Sequence, residues 1–413
     1  MVIATRQSIE MSYGRITMTR SKQAGTPRPA NRKRQLIDHS AQLFLQHGYP
    51  QVSMADIARA AGVTAPSLYR HFADKQALLY AAVLAGVDGL QAGTDTALAA
   101  ADGDRHAFIA SVCGSMARRQ NASTLWRWTG TYLTPEQNRE VVKGTRVALA
   151  QWADLLFTDR ELLDWEQRQL VWTMLSVVGS LSVHRARLPA AQAVRELTAA
   201  AERLVELTPS LATDLRVPPP IDVPGDDRRT EILDAAAELF SARGYGPVTV
   251  DEIGAAVGIT GPSVYKHFPS KAAILIEIGR RSGARLEVGV MAAYAAGSDD
   301  ADRLALMVDS YVATITSIPD LSVSFNNASA LSGDPSSREL IDIQRRYVMR
   351  WISLLTAIHG IGEAEAAVAV HAALSMVNDA VRVRRGVERP DFPAQMAYLM
   401  RGVLGLSPSP DQP

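Results

Sequence analysis

The sequence predicts an all-α protein built from two copies of one unit. Alanine is abundant, and stretches such as 139–157 and 338–358 space apolar residues three and four positions apart, as amphipathic helices do. The alternating Val, Ile and Thr patterns that predict strands are scarce. A forty-residue segment occurs twice: residues 232–271 match residues 36–75 without a gap and with seventeen identities. Such a repeat indicates a duplicated architecture.

Length and composition limit the class of protein. The 413 residues suffice for two to four domains with sizeable hydrophobic cores. Basic and acidic residues balance at 43 each, but residues 1–35 carry a net charge of +7, so a basic arm precedes an acidic body. One cysteine, Cys113, excludes an internal disulfide framework and fits a reducing compartment. No apolar run reaches the roughly 18 residues of a membrane helix, so we expect a cytoplasmic protein without a membrane partner.

Each copy can be built as a series of short helices. Phe44 lies on the apolar face of the first helix, and Gly48 stands where a left-handed C-terminal cap belongs. Ser53 and Asp56 form a capping box that starts the second helix. Gly62 then allows a tight turn, and Thr64 is placed to cap a short third helix with proline in its first turn. The second copy repeats these features at Phe240, Gly244, Thr249, Glu252, Gly258 and Thr260.

The third helix is expected to show one face to the core and another to solvent. Leu68 and Phe72 stand four residues apart and should face the core, which leaves the residues between them on other faces. A fourth helix begins after Asp74, with Lys75 in its first turn. Because a cation at a helix N-terminus opposes the helix dipole, Lys75 and its counterpart Lys271 are unfavourable structural choices. They are explained if the lysine and the helix end both bind a phosphate group.

Two stretches make a family resemblance specific. They are GVTAPSLYRHFADK at residues 62–75 and GITGPSVYKHFPSK at residues 258–271, each preceded by a helix that ends in HGY or RGY. Both closely resemble the helix-turn-helix DNA-binding domain of TetR-type transcriptional regulators. Such regulators usually have one of these DNA-binding domains, here called a head, per chain. It is followed by a helical ligand-binding domain, and the proteins act as homodimers. A chain with two heads resembles the tandem TetR-type regulators of actinobacteria, some of which control lipid or sterol uptake genes.

The resemblance assigns DNA contacts to residues of each head. The start of the third helix would enter the major groove, and the tyrosine, histidine and lysine that follow resemble positions that bind phosphates. The implied residues are Thr64, Ala65, Pro66, Ser67, Tyr69, Arg70, His71 and Lys75 in the first head, and Thr260, Gly261, Pro262, Ser263, Tyr265, Lys266, His267 and Lys271 in the second. The tyrosines could instead be half-buried core aromatics, and the histidines could cap local backbone. Since alanine, glycine and proline offer no side-chain donors, specificity would rest heavily on DNA shape and methyl contacts.

The two heads are unequal in charge. Residues 32–80 hold six basic residues against three acids, a net of +3, whereas residues 228–276 hold five against five. Non-specific affinity and its salt dependence scale with the number of phosphates neutralised. The first head should therefore contribute more of both. The basic arm is either a solvated tail or an additional minor-groove or phosphate contact.

The repeat and a proline-rich segment define the expected domains. These are a disordered basic arm at 1–30, a TetR-type head at 31–80, a helical regulatory domain at 81–207, a linker at 208–227, a second head at 228–276 and a second regulatory domain at 277–407. In TetR-type dimers the last two helices of each subunit form the interface. Here the helices around 162–183 and 190–207 are expected to pair with those around 364–385 and 390–404 in the same chain. One chain would then be a monomeric pseudo-dimer, with a homodimer as the alternative.

The sequence says least about a ligand. Five of the six tryptophans lie in the first regulatory domain. An aromatic cavity for a small hydrophobic effector, acyl or sterol-like, is predicted there at Trp126, Arg127, Trp128 and Tyr132, although the same residues could simply pack a helical core.

Enzymatic function is not expected. Zinc-hydrolase and serine-hydrolase motifs, phosphate-binding loops and Cys/His clusters are missing from the sequence, so we expect no catalytic residues, metal or cofactor. The prediction is a sequence-specific DNA-binding transcriptional regulator, a ligand-responsive repressor that reads one operator with two non-identical heads. In the alternative, the second head is a structural scaffold, and the chain homodimerises to bind DNA through the first head only.

Overall fold

The computed structural model describes residues 29–118, 125–182, 188–217, 227–331, 334–383 and 387–406. Every regular element in these ranges is helical, which confirms the predicted fold class. Of the predicted basic arm, residues 1–28 lie outside the described ranges, as do linker residues 218–226.

The chain forms two compact units, residues 4–154 and 155–413. The helices of the first unit are α1 (Pro29–His47), α2 (Met54–Ala60), α3 (Ala65–Tyr69), α4 (Lys75–Ala101), α5 (Arg105–Arg118), α6 (Leu125–Thr129) and α7 (Pro135–Leu156). Those of the second are α8 (Asp164–Val178), α9 (Ala190–Val205), α10 (Arg228–Arg243), α11 (Val250–Ala256), α12 (Gly261–Val264), α13 (Lys271–Ala296), α14 (Asp300–Ser317), α15 (Pro319–Asn326), α16 (Ser337–His359), α17 (Glu363–Arg382) and α18 (Phe392–Val403). The division places residues 155–207 with the second half, whereas the domain limits drawn from the repeat stay a prediction.

The first head shares its core with the helices that follow it. Helices α1, α2 and α3 bury Phe44, Ile57 and Leu68, and α4 adds Leu78 to the same cluster. Leu125, at the start of α6, belongs to this cluster as well. The head is therefore packed directly onto the regulatory helices of its own unit.

Helix α4 is long and apolar enough, by length and composition, to cross a membrane. The expectation that no segment would reach this length was therefore too strict. Its residues Leu78, Leu79, Ala82 and Val83 are buried in the core of the first head. These contacts explain the apolar composition of α4 as that of a core helix.

The second head repeats the same construction. Phe240, Ile253, Val264 and Phe268 are buried between α10, α11 and α12. Val323 of α15, a helix outside the head, belongs to this core cluster, as Leu125 of α6 does in the first unit. The duplication thus extends from the heads into the helices that support them.

Within the second unit, α8 and α9 pack against α17 and α18. Leu170 and Leu204 are buried on one side of this packing, and Val370 and Met400 on the other. Gly402 allows close approach, since a β-carbon at this position would lie 2.4 Å from Leu207 Cδ1. This packing confirms the predicted pairing of these helices within one chain.

The described part of the linker is docked on the second unit. Arg160 donates hydrogen bonds to the carbonyls of Glu206 (3.0 Å) and Leu207 (3.2 Å) at the end of α9, and Pro209 is buried in a short 3₁₀ turn. Further on, Arg216 forms an ion pair with Asp302 of α14 at 2.5 Å. Residues 208–217 are therefore held by specific contacts.

Candidate nucleic-acid interface

The second helix of each head starts with the predicted capping box. The Asp56 amide donates to Ser53 Oγ at 3.1 Å, and the Ser53 amide donates to Asp56 Oδ2 at 3.0 Å. Thr249 and Glu252 repeat both bonds in the second head, at 3.2 and 2.7 Å. Hydrogen bonds from the Thr249 backbone and from Arg243 lower the pKa of Glu252 to about 2.

The glycines between the helices have the backbone angles that explain them, with one difference from prediction. Gly62 and Gly258 have φ of 64° and 71° and form the turn before the third helix. Gly48 and Gly244 also have positive φ, 82° and 80°, but their ψ values of 144° and 158° are extended. The predicted left-handed cap is therefore wrong. The backbone becomes extended directly at the glycine that ends the first helix.

Thr64 and Thr260 stand before α3 and α12, but neither side chain accepts a capping hydrogen bond. The predicted cap is wrong: proline at the second helical position has no N–H to donate, and the amide at the third position, of Ser67 or Ser263, donates to the backbone carbonyl of the threonine at 3.0 or 2.9 Å. Both threonines are exposed, and Thr260 Oγ1 lies 3.0 Å from Ser263 Oγ. Their hydroxyls lie on the surface at the start of the third helix.

The third helix has one buried and one exposed face, as predicted. Leu68 and Val264 are fully buried, whereas Tyr69 and Tyr265 are each 53% exposed. Neither tyrosine is among the partly buried residues that pack against the core of its head, and the alternative that they are half-buried aromatics stays open. Arg70 and Lys266, next in sequence, are exposed as well, and His71 and His267 are half-buried. A phosphate or base contact for these residues stays a prediction.

Lys75 and Lys271 have a structural role that the helix-dipole argument missed. Lys271 Nζ donates to the carbonyls of Tyr245 (2.8 Å), Gly246 (3.2 Å) and Val248 (2.8 Å), and lies 4.2 Å from the centre of the Tyr245 ring. Lys75 Nζ donates to the Tyr49 carbonyl at 3.0 Å. Burial lowers the pKa of both lysines. The statement that they are poor structural choices is wrong, since each holds the loop between the first two helices.

The two third helices differ in one contact that the sequence did not reveal. Gly261 is buried, and a β-carbon at this position would lie 1.8 Å from Asp251 Oδ1. The corresponding residues of the first head are Ala65 and Ala55. Gly261, predicted as a DNA contact, is thus covered by the exposed Asp251, a residue that neither motif nor resemblance had indicated.

The basic residues of the second head are largely engaged in internal contacts. Arg228 donates to the Val257 carbonyl at 2.8 Å, Arg229 to the His267 carbonyl at 2.7 Å, and Arg243 to Glu252 at 2.7 Å. With Lys271 bound to its loop, Lys266 is the basic residue of this head that points away from such contacts. In the first head Arg34 pairs with Asp38 and Arg59 with Asp56. The difference between the heads is therefore that of their formal charges.

The residues predicted to bind a ligand lie at the junction between the first head and its regulatory helices. Trp126 Nε1 donates to Asn138 Oδ1 at 3.2 Å, and the Tyr132 ring lies 4.7 Å from the Tyr49 ring. Arg127 is half-buried on α6, and the side chain of Trp128 lies outside the described residues. The aromatic rings of Trp126 and Tyr132 pack against the head, and a ligand role for them stays a prediction.

Comparison with known proteins matches both heads to one family. The model of bacterial regulatory proteins of the tetR family fits residues 36–82 and 232–278. The chain carries two TetR-type heads in tandem.

Curated relatives of the chain are all transcriptional regulators. It is 35% identical to the HTH-type transcriptional activator FasR of Mycolicibacterium smegmatis over 89 residues, 22% of this chain and 41% of FasR. It is 48% identical to the HTH-type transcriptional repressor KstR2 of Rhodococcus jostii over 64 residues, 15% of this chain and 31% of KstR2. The putative mycofactocin biosynthesis transcriptional regulator MftR of Mycobacterium tuberculosis is 28% identical over 155 residues, 36% of this chain and 77% of MftR.

The chain spans less than half the length of FasR and KstR2. The likeness to these two relatives is therefore a likeness of short segments.

We predict that Lys271→Met destabilises the second head more than Lys75→Met destabilises the first. The substitution keeps most of the apolar stem but removes three hydrogen bonds in the second head and one in the first. We expect a loss of about 1–3 kcal/mol for Lys271→Met. Amide hydrogen exchange of α10–α12 and α1–α3 in the DNA-free chain measures both. Equal losses would show that the carbonyl contacts do not stabilise the loop.

Proposed function

We propose that the chain is a cytoplasmic, sequence-specific DNA-binding regulator of transcription that reads one operator with both heads. The observation that carries this proposal is the two-faced third helix, present in both copies. Its inner face completes the core through Leu68 or Val264, while its outer face presents Tyr69 and Arg70, or Tyr265 and Lys266, to solvent. A helix supported in this way suits the major groove of DNA.

The packing of α8 and α9 against α17 and α18 supports a monomeric pseudo-dimer. In a TetR-type homodimer the corresponding helices meet between chains, whereas here they bury each other within one chain. The apolar surface that would otherwise require a second subunit is thus already covered. We further propose repression, because a protein that occupies an operator obstructs other proteins there. KstR2 carries the name of a repressor and FasR that of an activator.

One observation favours the alternative in which the second head is a scaffold. The side chains of Arg228, Arg229 and Arg243 bond within the head, and residues 228–276 carry no net positive charge to attract phosphates. In this alternative the chain homodimerises and binds DNA through the first head only.

A measurement of stoichiometry distinguishes the two arrangements. For the full chain on an operator selected from random duplexes, native mass measurement should give one chain per operator. A footprint should cover two major-groove segments about one helical turn (~34–36 Å) apart or slightly more. Tyr69→Ala and Tyr265→Ala should each remove protection of one segment. Two chains per operator, together with no effect of Tyr265→Ala, would establish the scaffold arrangement instead.

Arg70→Ala should weaken operator binding more than Lys266→Ala. Both side chains are exposed on the third helix, but an arginine can bond a guanine edge through two donors, whereas lysine acts as a point charge. We expect a loss of about 1–3 kcal/mol in binding free energy for Arg70→Ala. Titrations at several salt concentrations separate a base contact, which changes sequence preference, from a phosphate contact, which lowers the salt dependence by about one ion. Equal losses for the two variants would contradict the proposed difference between the heads.

We also propose that the regulator responds to a small hydrophobic effector, acyl or sterol-like, and that the second unit receives it. A cleft between α13, α15 and α16 is lined by Gly279, Ser282, Gly283, Leu286, Glu287, Leu321, Ser324, Phe325, Leu340, Ile343, Gln344 and Tyr347. This lining is largely apolar with a few polar groups, as ligand sites commonly are. Because the cleft is narrow, an effector would have to displace α15 to enter.

A network of ion pairs connects α15 to the second head. Asp320, which is 2% exposed, accepts hydrogen bonds from Arg281 Nε (2.6 Å) and Nη2 (2.8 Å) and from Arg285 Nη1 (2.5 Å). Arg281 Nη1 also contacts Asp234 Oδ1 of α10 at 2.5 Å. Arg281 thus bridges the helix beside the cleft and the first helix of the head. In the first copy the positions of Arg281 and Arg285 are Ala85 and Gly89, so this bridge belongs to the second copy.

Asp234→Ala should uncouple effector binding from DNA binding. It removes the head end of the bridge and leaves the bonds between Asp320 and its arginines intact. With palmitate and cholestenone as probes, effector affinity should be unchanged, while the effect of the effector on operator affinity should fall about five-fold. The matched control is Asp38→Ala, since Asp38 pairs with Arg34 on its own helix. An unchanged effect in Asp234→Ala would disprove the bridge, and binding of neither probe would disprove the effector class.

A further inference from the structure

The contact between Asp251 and Gly261 marks a difference in what the two heads present to DNA. Asp251 is exposed at the second position of α11, with its carboxylate against Gly261 at the start of the third helix. In the first head Ala65 has a methyl group at that position, and Ala55 has no polar group to cover it. A carboxylate in the second head therefore replaces a methyl group in the first.

The backbone of the second head is shaped to allow this contact. A β-carbon on Gly254 would lie 2.9 Å from the Ile259 carbonyl oxygen and 3.2 Å from the Gly261 nitrogen. The first head has Ala58 at this place, and its methyl group is buried. Helices α11 and α12 therefore approach each other more closely than the alanines of the first head, Ala58 and Ala65, would permit. Gly254 and Gly261 together allow this close approach.

A stabilising role for Asp251 within α11 would explain the aspartate but not the glycine that faces it. An acid in the first turn of α11 interacts favourably with the helix dipole, which accounts for Asp251 alone. It does not account for a glycine facing it on α12, nor for an uncompensated negative charge beside the groove-facing helix. Within the described residues the Asp251 carboxylate has no hydrogen-bond or ion-pair partner, so its acceptor capacity is available to a ligand.

We propose that Asp251 is a specificity-determining residue of the second head and accepts a hydrogen bond from the N4 amino group of a cytosine in the major groove. This proposal rests on the proposed function, namely that the second head reads DNA. A carboxylate is an acceptor only, and cytosine presents an amino donor in the major groove. Adenine also presents one, but its neighbouring N7 acceptor would repel a carboxylate. The first head, with Ala65 at the same place, is suited to the methyl group of thymine.

The experiment is a selection of random duplexes with the full chain, followed by affinity measurements on the selected operator with each base pair at every position. The wild-type chain should prefer cytosine at one position of the second half-site by about 5- to 150-fold. Asp251→Ala with Gly261→Ala rebuilds the arrangement of the first head and should remove that preference. Asp251→Asn keeps the size of the side chain and should shift the preference towards adenine, which an amide recognises through N6 and N7.

Two outcomes would overturn the proposal. If Asp251→Ala raises affinity equally for every sequence, the carboxylate only repels phosphates. If Asp251→Asn leaves the base preference unchanged while Tyr265→Ala still abolishes protection of the second half-site, the head reads DNA without Asp251. Failure of the proposed function looks different, because then Tyr265→Ala changes nothing. As the matched control, Ala55→Asp with Ala58→Gly and Ala65→Gly should introduce a cytosine preference in the first half-site.

Discussion

The packing of α8 and α9 against α17 and α18 is the constraint on which the rest of the second unit depends. These are the last two helices of each copy, so the apolar faces of the two copies are buried against each other within one chain. Arg203 donates to the Val403 carbonyl at 2.8 Å and Gln192 to Glu365 at 2.5 Å, which adds polar contacts to the apolar ones. In a homodimer the same surface must pack against a copy of itself. Here the two surfaces have different sequences, so each only has to fit the other.

This freedom shows in how each copy joins its head to its regulatory helices. A lysine lies over a tyrosine ring in both copies, Lys75 over Tyr49 and Lys271 over Tyr245. In the first copy the Tyr49 ring also packs against Tyr132. In the second copy Arg281 adds ion pairs with Asp234 and Asp320. Because partly exposed ion pairs are screened by salt, the second junction should be the more sensitive of the two to ionic strength.

Much of each head could be predicted from sequence, because its signals are local. Capping boxes depend on residues three apart, and the buried positions Leu68 and Phe72 follow from helical spacing. Two local predictions, the caps at Gly48 and Thr64, were wrong, and other errors came from contacts between distant residues. The bonds of Lys271 to the loop at 245–248 join residues more than twenty positions apart, and no helix-dipole argument includes them. The contact of Asp251 with Gly261 depends on the spacing between two helices, which no motif encodes.

The same contact couples two positions that are ten residues apart in sequence. With the Asp251 side chain as it lies, a methyl group on residue 261 would be 1.8 Å from a carboxylate oxygen. An alanine at position 261 would therefore require the exposed aspartate to rotate away from the start of the third helix. A substitution at either position thus changes the surface that the other one presents.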